Sequence, residues 1–440
     1  MTDDQRARGS LGFSLLICAH IVICCGSLIY VAYSRFPAPF FNPATFHIFF
    51  DLSRWYLAVA VAAAFALLAP LFVLARFSFG YFAGFYFYTM MLGYLWLNCY
   101  TDLNYDHRAA ALSAAACAVV FLLPALFISS PARQIVTLTA RSFDRLLMGL
   151  LALGVATVAV GAFYNFRLVG LDEMEEFRTK IDAPVSVNYL VTMVSSTLLP
   201  FALAGFVAIK AHWRATAVLV LLLFFYPITL SKTALFAPLW LAALLALSRI
   251  FEARVTVILS LLVPILAGLV LVTLFGTHAA LYVSIVNFRM IAIPSVAMDV
   301  YNDFFSRHDL TYFCQISPLK RIMPCPYQAP LSVVMQANYK LGNFNASLFA
   351  TEGIASLGTV FAPVAVFICG LVVALGNRLS AGLPPAFILL SSAGLPLVLL
   401  NVPLTTVLLT HGAGFLFLLW YLTPRSIFKP SSGAQTAFPA

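Results

Sequence analysis

The sequence predicts an all-α fold, a polytopic bundle of about 12 membrane-spanning helices, and three observations carry that prediction. The chain is 62% hydrophobic and only 9% charged over 440 residues, more apolar surface than a water-soluble domain of that size can bury. Its apolar runs are continuous and of helix length, whereas an outer-membrane barrel shows short alternating segments. Polar or proline-rich breaks separate one run from the next.

The runs place helices near 11–33, 54–75, 78–100, 109–129, 146–166, 187–209, 215–230, 233–249, 255–275, 346–375, 385–402 and 404–423. The first follows a short basic start, but it is too long for a secretory signal and no small-residue cleavage site follows, so a retained first helix is expected. Around "LSKT" (Leu230–Thr233) two short helices or one kinked helix fit equally well.

Charge distribution orients these helices. With the N-terminus inside, thirteen of the 25 Lys and Arg fall in cytoplasmic segments, and five of the others (Arg289, Arg307, Lys320, Arg321, Lys340) share one long loop that the positive-inside rule discounts. Both termini are therefore expected in the cytoplasm. The net charge of +9 is carried by basic residues dispersed along the chain, with no Lys/Arg cluster, so nucleic acid is not an expected partner. The expectation is one integral membrane domain over 1–430 and a disordered cytoplasmic tail over 431–440.

External charges concentrate in a third loop, 167–186, and in a fifth, 276–345, between the ninth and tenth helices. A connection that long is commonly functional. Cys314 and Cys325 lie within it as "CQISPLKRIMPC", and in an oxidising compartment they are disulfide candidates.

The candidate chemistry gathers in the same loops. In "SIVNFRMIAIPSVAMDVYNDFFSRHD", Pro294 starts a helical segment on which Tyr301 and His308 share one face and Asp299, Asp303 and Arg307 another, the pattern of an amphipathic helix lying on the membrane surface. Asp303 and Arg307 make an ordinary helix pair, but Asp299 and Asp303 are like charges at i, i+4, which local stability does not select. Arg289 stands at the membrane boundary, where snorkelling to headgroups and bidentate phosphate binding fit its position equally. Arg167, Arg178 and Lys180 in the third loop and Lys232 at an external turn are further cationic candidates. Asn345 and Glu352, seven apart, share a helix face at the end of the fifth loop, and an acid one or two turns into a membrane helix is a functional candidate. No phosphate loop, metal-spaced His/Cys/Asp cluster or G-x-S-x-G occurs, so neither a metal nor a cofactor is expected.

The arrangement resembles the bacterial O-antigen (Wzy-type) polymerases, most of the chain corresponding in topology. "NFRMIAIPSVAMDVYNDFF" is similar to that family's arginine, proline and Tyr-rich segment ending in an aromatic pair; "NFNASLFATEGIASLG" is similar to its Asn-containing, glycine-spaced helix entry; and "LSKTALFAPLWLAALLAL" resembles its helix opened by a basic residue. The related O-antigen ligases usually carry a histidine where Asn343 and Phe344 stand here.

The resemblance implies a GT-C-like, metal-independent glycosyltransferase of the bacterial inner membrane. It would join undecaprenyl-pyrophosphate-linked repeat units into O-antigen, capsule or exopolysaccharide, among membrane lipids and with a chain-length regulator as a possible partner. On that reading clustered cations stabilise the pyrophosphate leaving group. Arg289 comes first, with Arg307, Lys232 and Arg178 behind it. Asp299, Asp303, His308 and Glu352 are the available bases. A lipid-linked oligosaccharide flippase or transporter, a polyprenyl-phosphate-dependent GT-C glycosyltransferase, an O-antigen ligase and a non-catalytic membrane component are the alternatives.

Overall fold

The computed structural model describes residues 3–34, 41–170, 173–316, 319–342 and 348–428. Helices and their connections make up all of it, and no strand occurs among the described residues. Nine helical stretches there are long and apolar enough to cross a membrane, as a multi-pass protein requires: Leu11–Tyr33, Leu52–Leu74, His107–Phe127, Ala140–Tyr164, Val185–Ala208, His212–Thr229, Lys232–Ile250, Ala253–Phe305 and Phe349–Ser380. The remaining expected runs are helical in other ways. Phe79–Leu97 is one 19-residue helix whose side chains are all buried. The final two runs break into Pro385–Ser391, Leu395–Leu399, Leu404–Leu409 and Ala413–Leu422. Pro384, Pro396 and Pro403 fall at those starts, because proline disfavours a helical residue before it and donates no amide hydrogen. At "LSKT" the chain makes two helices, split by Leu230 in the left-handed region at φ 45°.

The chain forms two compact units. The first comprises Met1–Ser129, Ala246–Asn377 and Gly394–Thr410. Its centre is Phe79–Leu97, where Phe72, Phe85 and Tyr88 meet edge-on or tilted at 5.3–6.4 Å, the geometry that aromatic quadrupoles favour. Asn377 ties this helix to a neighbour. It accepts from the Gly80 amide at 2.6 Å and donates to the Ala125 carbonyl at 2.7 Å.

One sequence expectation fails here, for a physical reason. Residues 276–305 are helical, and the helix after Pro294 is not a surface helix: every residue from Pro294 to Phe305 is buried. Gly276, at φ 56°, turns the chain at the end of Ala253–Phe275, a conformation glycine adopts without strain. The following limb then returns against the first. Tyr282 donates to the Pro264 carbonyl at 3.0 Å, and Asn287 to the Ile265 carbonyl at 2.9 Å and to Ser27 at 3.0 Å. Further along, Ser295 sits against Gly93 and donates to the Met90 carbonyl at 3.1 Å, a close approach that a small residue allows. The polar face of this helix therefore meets protein.

The second unit comprises Ser130–Leu245, Arg378–Ala393 and His411–Ala440. Gly161 packs on Ile228 and Gly205 on Leu147. Trp420 donates to Ser391 at 2.9 Å and Trp240 to the Ala393 carbonyl at 3.1 Å. Arg425 closes it by donating to the carbonyls of Leu379, Ala381, Trp420 and Thr423. These include otherwise unmatched carbonyls at helix ends. Burial pulls the Arg425 guanidinium down to about 10, still charged at neutral pH.

A Cβ at Gly80 would lie 2.0 Å from the backbone oxygen of Ala125, whereas one at Gly149 meets nothing within 4 Å. Gly80→Ala is therefore expected to cost about 1–3 kcal/mol, and Gly149→Ala to be neutral or slightly stabilising. Equilibrium unfolding in detergent reads the difference; equal stability of the two variants contradicts this packing.

Candidate functional site

The buried helix Ile293–Phe305 carries two carboxylates whose surroundings differ sharply. Asp303 is saturated. Its Oδ1 accepts from the Asn104 amide at 3.0 Å, and its Oδ2 accepts from the Arg307 guanidinium and, at 2.6 Å, from the Tyr339 hydroxyl. The i, i+4 spacing expected for Asp303 and Arg307 is thus realised as an ion pair between a carboxylate 2% exposed and a guanidinium more than half exposed. Burial and the bond to Asp303 push the Tyr339 phenol above its ordinary value, so it remains a donor.

Asp299 lies one turn earlier and is fully buried. Its Oδ1 accepts from the Tyr105 hydroxyl, while its Oδ2 is buried with no hydrogen-bond partner among the described residues. Buried polar atoms are nearly always paired, so an orphaned carboxyl oxygen marks a place where a donor is missing. Beside it, Asn302 donates to the Tyr94 hydroxyl at 3.2 Å and accepts from Thr359 at 2.8 Å.

The remaining candidates sort clearly. Glu352 is buried in a π-helical turn, Phe349–Ile354, and accepts from the backbone amides of Leu404 and Thr405, so it caps the start of a short helix. His308 is exposed, stacked on Phe304 at 4.0 Å and bonded through Nδ1 to the Phe304 carbonyl. Tyr301 is fully buried, its hydroxyl without a hydrogen-bond partner among the described residues. Arg289 lies in a second π-helical stretch, Ser284–Ala292; it is exposed and makes no ion pair or hydrogen bond among the described residues. Its neighbour Phe288 is fixed by stacking on Phe41 at 4.1 Å. Such π turns recur at functional sites because they re-aim side chains.

Arg167, Arg178, Lys180 and Lys232 belong to the second unit. There Arg167 and Lys180 lie over the Phe177 ring at 5.5 and 5.2 Å, and Lys180 pairs with Glu176 at 2.7 Å. That pairing, exposed to solvent, holds the Glu176 carboxyl below its usual range. The same segment folds onto the Tyr226–Leu230 turn, where Tyr226 donates to the Val169 carbonyl at 2.6 Å and Met174 packs on Tyr226 and Leu230. Arg178 ends a five-residue helix, exposed, and Lys232 starts the Lys232–Ile250 helix. Asn345 lies outside the described residues, as does the 431–440 tail.

Cys314 and Cys325 are joined in a disulfide with Cα atoms 5.4 Å apart. It closes a segment anchored to the helix end, since Thr311 donates from its amide to the Ala355 carbonyl at 2.8 Å and Tyr327 from its hydroxyl to the Asp309 carbonyl at 2.8 Å. No group of three or more His, Cys, Asp or Glu arranged to hold a metal occurs among the described residues.

Sequence reasoning passed over the segment "NCYTDLNYDHR", Asn98–Arg108, which supplies Asn98, Asn104, Tyr105 and His107 to this site. The signal available was a dense polar run between two apolar helices. The arrangement as a whole offers one unsatisfied acceptor, an anchored ion pair next to it, and an unpaired arginine on the same helical limb. Compared with models of protein families, with curated proteins and with solved structures, the chain matches none of them.

The cysteine assignment gives a direct check. Denatured without reductant, the protein should expose six reactive thiols, those of Cys18, Cys24, Cys25, Cys99, Cys117 and Cys369, and all eight cysteines after reduction. Eight thiols before reduction would remove the disulfide.

Proposed function

We propose that the chain is a metal-independent glycosyltransferase that polymerises undecaprenyl-pyrophosphate-linked oligosaccharide repeat units at the periplasmic face of a bacterial inner membrane, with Asp299 as base. The observation that carries the reading is the unpartnered Oδ2 of Asp299. Of the four candidate bases it alone is buried with an oxygen to spare; Asp303 and Glu352 are engaged and His308 is exposed. An acceptor hydroxyl donates to that oxygen and gives up its proton to it as its own oxygen bonds the anomeric carbon of the donor, whose bond to undecaprenyl pyrophosphate breaks, the pyrophosphate leaving as the anion.

Arg289 is the proposed pyrophosphate contact. It is exposed and unpaired on an apolar limb, as a lipid-borne anion arriving through the bilayer requires. Ten residues separate it from Asp299, about 15 Å along a helix, a gap for the two side chains, the pyrophosphate and the first sugar to span. Arg307 is committed to Asp303 and serves the site by holding it. Arg167, Arg178, Lys180 and Lys232 are assigned to glycan or phosphate contacts at the external end of the second unit.

On this reading twelve membrane passages form a GT-C-like bundle, both termini are cytoplasmic, and the segment after Phe305 is external. The aromatic contacts Tyr33–Phe50, Phe50–Tyr100 and Trp55–Trp96 support that level, being the girdle expected at a membrane–water interface. A chain-length regulator is the proposed protein partner.

Deleting the gene in its host is expected to leave single repeat units on the lipid core. Repeat units accumulating on the cytoplasmic face would instead identify a flippase. In the complemented strain Arg289→Ala should abolish long chains, about 100-fold or more in turnover by the scale of losing a charge-stabilising donor. Normal chain lengths at normal expression would remove Arg289 from the mechanism.

A further inference from the structure

The two oxygens of Asp299 are held unequally, and the cause lies in the Asn98–Arg108 segment rather than in the long loop. A carboxyl turns readily about its last side-chain torsion, so without a restraint either oxygen would face an incoming ligand. Oδ1 is restrained by the Tyr105 hydroxyl, and Oδ2 by no donor among the described residues. Tyr105 is itself bracketed. Its hydroxyl lies 2.9 Å from Asn98 Oδ1 and its ring 4.4 Å from the His107 imidazole.

The Asn98 amide has no freedom to flip. Its Nδ2 donates to the His107 backbone carbonyl at 3.1 Å, which leaves its Oδ1 to accept from His107 Nδ1 at 2.9 Å. The single phenolic hydrogen has two acceptors in reach, Asn98 Oδ1 and Asp299 Oδ1; His107 already serves the first, and the carboxylate is the stronger acceptor. Burial, with the Asp299 carboxyl beside it, raises the Tyr105 phenol well above its ordinary value, so it keeps that hydrogen.

We propose that Tyr105 is a positioning residue for Asp299: it pins Oδ1 so that Oδ2 alone is presented to a hydroxyl-bearing ligand, and the His107 ring, itself held by Asn98, packs against the phenol and keeps it in place. The proposal rests on the reading of Asp299 as the base. Under it, neither Tyr105 nor Asn98 touches substrate. They set which lone pairs the acceptor hydroxyl meets, which is a matter of geometry rather than of binding strength.

The test is carboxyl labelling of the purified full chain in detergent with an apolar carbodiimide, adducts being mapped by peptide mass spectrometry. Asp303, with both oxygens engaged, is the internal control. Tyr105→Phe frees the second oxygen of Asp299, and labelling there should rise about fivefold, the loss of roughly one hydrogen bond. Asn98→Leu should shift it in the same direction by less, with Asp303 unlabelled throughout. Unchanged labelling at Asp299 in Tyr105→Phe, including no adduct in either protein, overturns the proposal. So does a parallel rise at Asp303, which would make the phenol a plug rather than a pin. Labelling needs no turnover, so this result stands apart from whether the chain polymerises glycans.

Discussion

Asp303 can be buried in this protein because a guanidinium, a phenol and a backbone amide converge on it. A carboxylate removed from water without such partners costs several kcal/mol. The partners come from one turn downstream, from Tyr339 and from Asn104, so a single charge gathers three distant stretches of chain. The end of the Ile293–Phe305 helix, the Asn98–Arg108 connection and the Leu331–Tyr339 helix are thereby brought together. The disulfide between Cys314 and Cys325 closes the chain that lies between two of them.

Asp299 follows from that anchor. With Asp303 fixed, Asp299 is held one turn earlier facing the same connection, close enough to receive the Tyr105 hydroxyl on one oxygen and nothing on the other. Two like charges at i, i+4 are a poor local choice. The structure resolves that cost by dividing the pair: one carboxylate is satisfied by structure and one is left with capacity. Such a division is what a site needs, since a rigid, fully paired neighbour orients a reactive group without competing for its ligand.

Much of the helical architecture was legible because a continuous apolar run of helix length has few alternatives. The helix Phe79–Leu97 was legible as a helix, but its tyrosines, polar by hydropathy, gave no hint that it is the most buried element of its unit. The surface-helix reading of Ile293–Phe305 failed for a more instructive reason. Periodicity shows that Asp299, Asn302 and Asp303 share a polar face, but not whether water or protein meets it; Tyr105, Tyr94 and Asn104 do, some two hundred residues away in sequence. Glu352 was likewise visible as an acid inside an apolar helix, while the amides of Leu404 and Thr405 that it caps were not. Gly276 was the one local clue to the reversal, since a glycine ending a long helix permits a left-handed turn.

The central claim is that Asp303 holds the site together and Asp299 does not. Equilibrium unfolding of Asp303→Asn and Asp299→Asn, each against the parent protein in the same detergent, tests it most directly. Asp303→Asn should lose about 2 kcal/mol, the scale of weakened charge-assisted bonds at a buried acceptor. Asp299→Asn, which keeps an oxygen for Tyr105 and removes a charge that burial penalises, should be at least as stable as the parent. Equal losses, or a larger loss at Asp299, would contradict the division of roles between the two carboxylates.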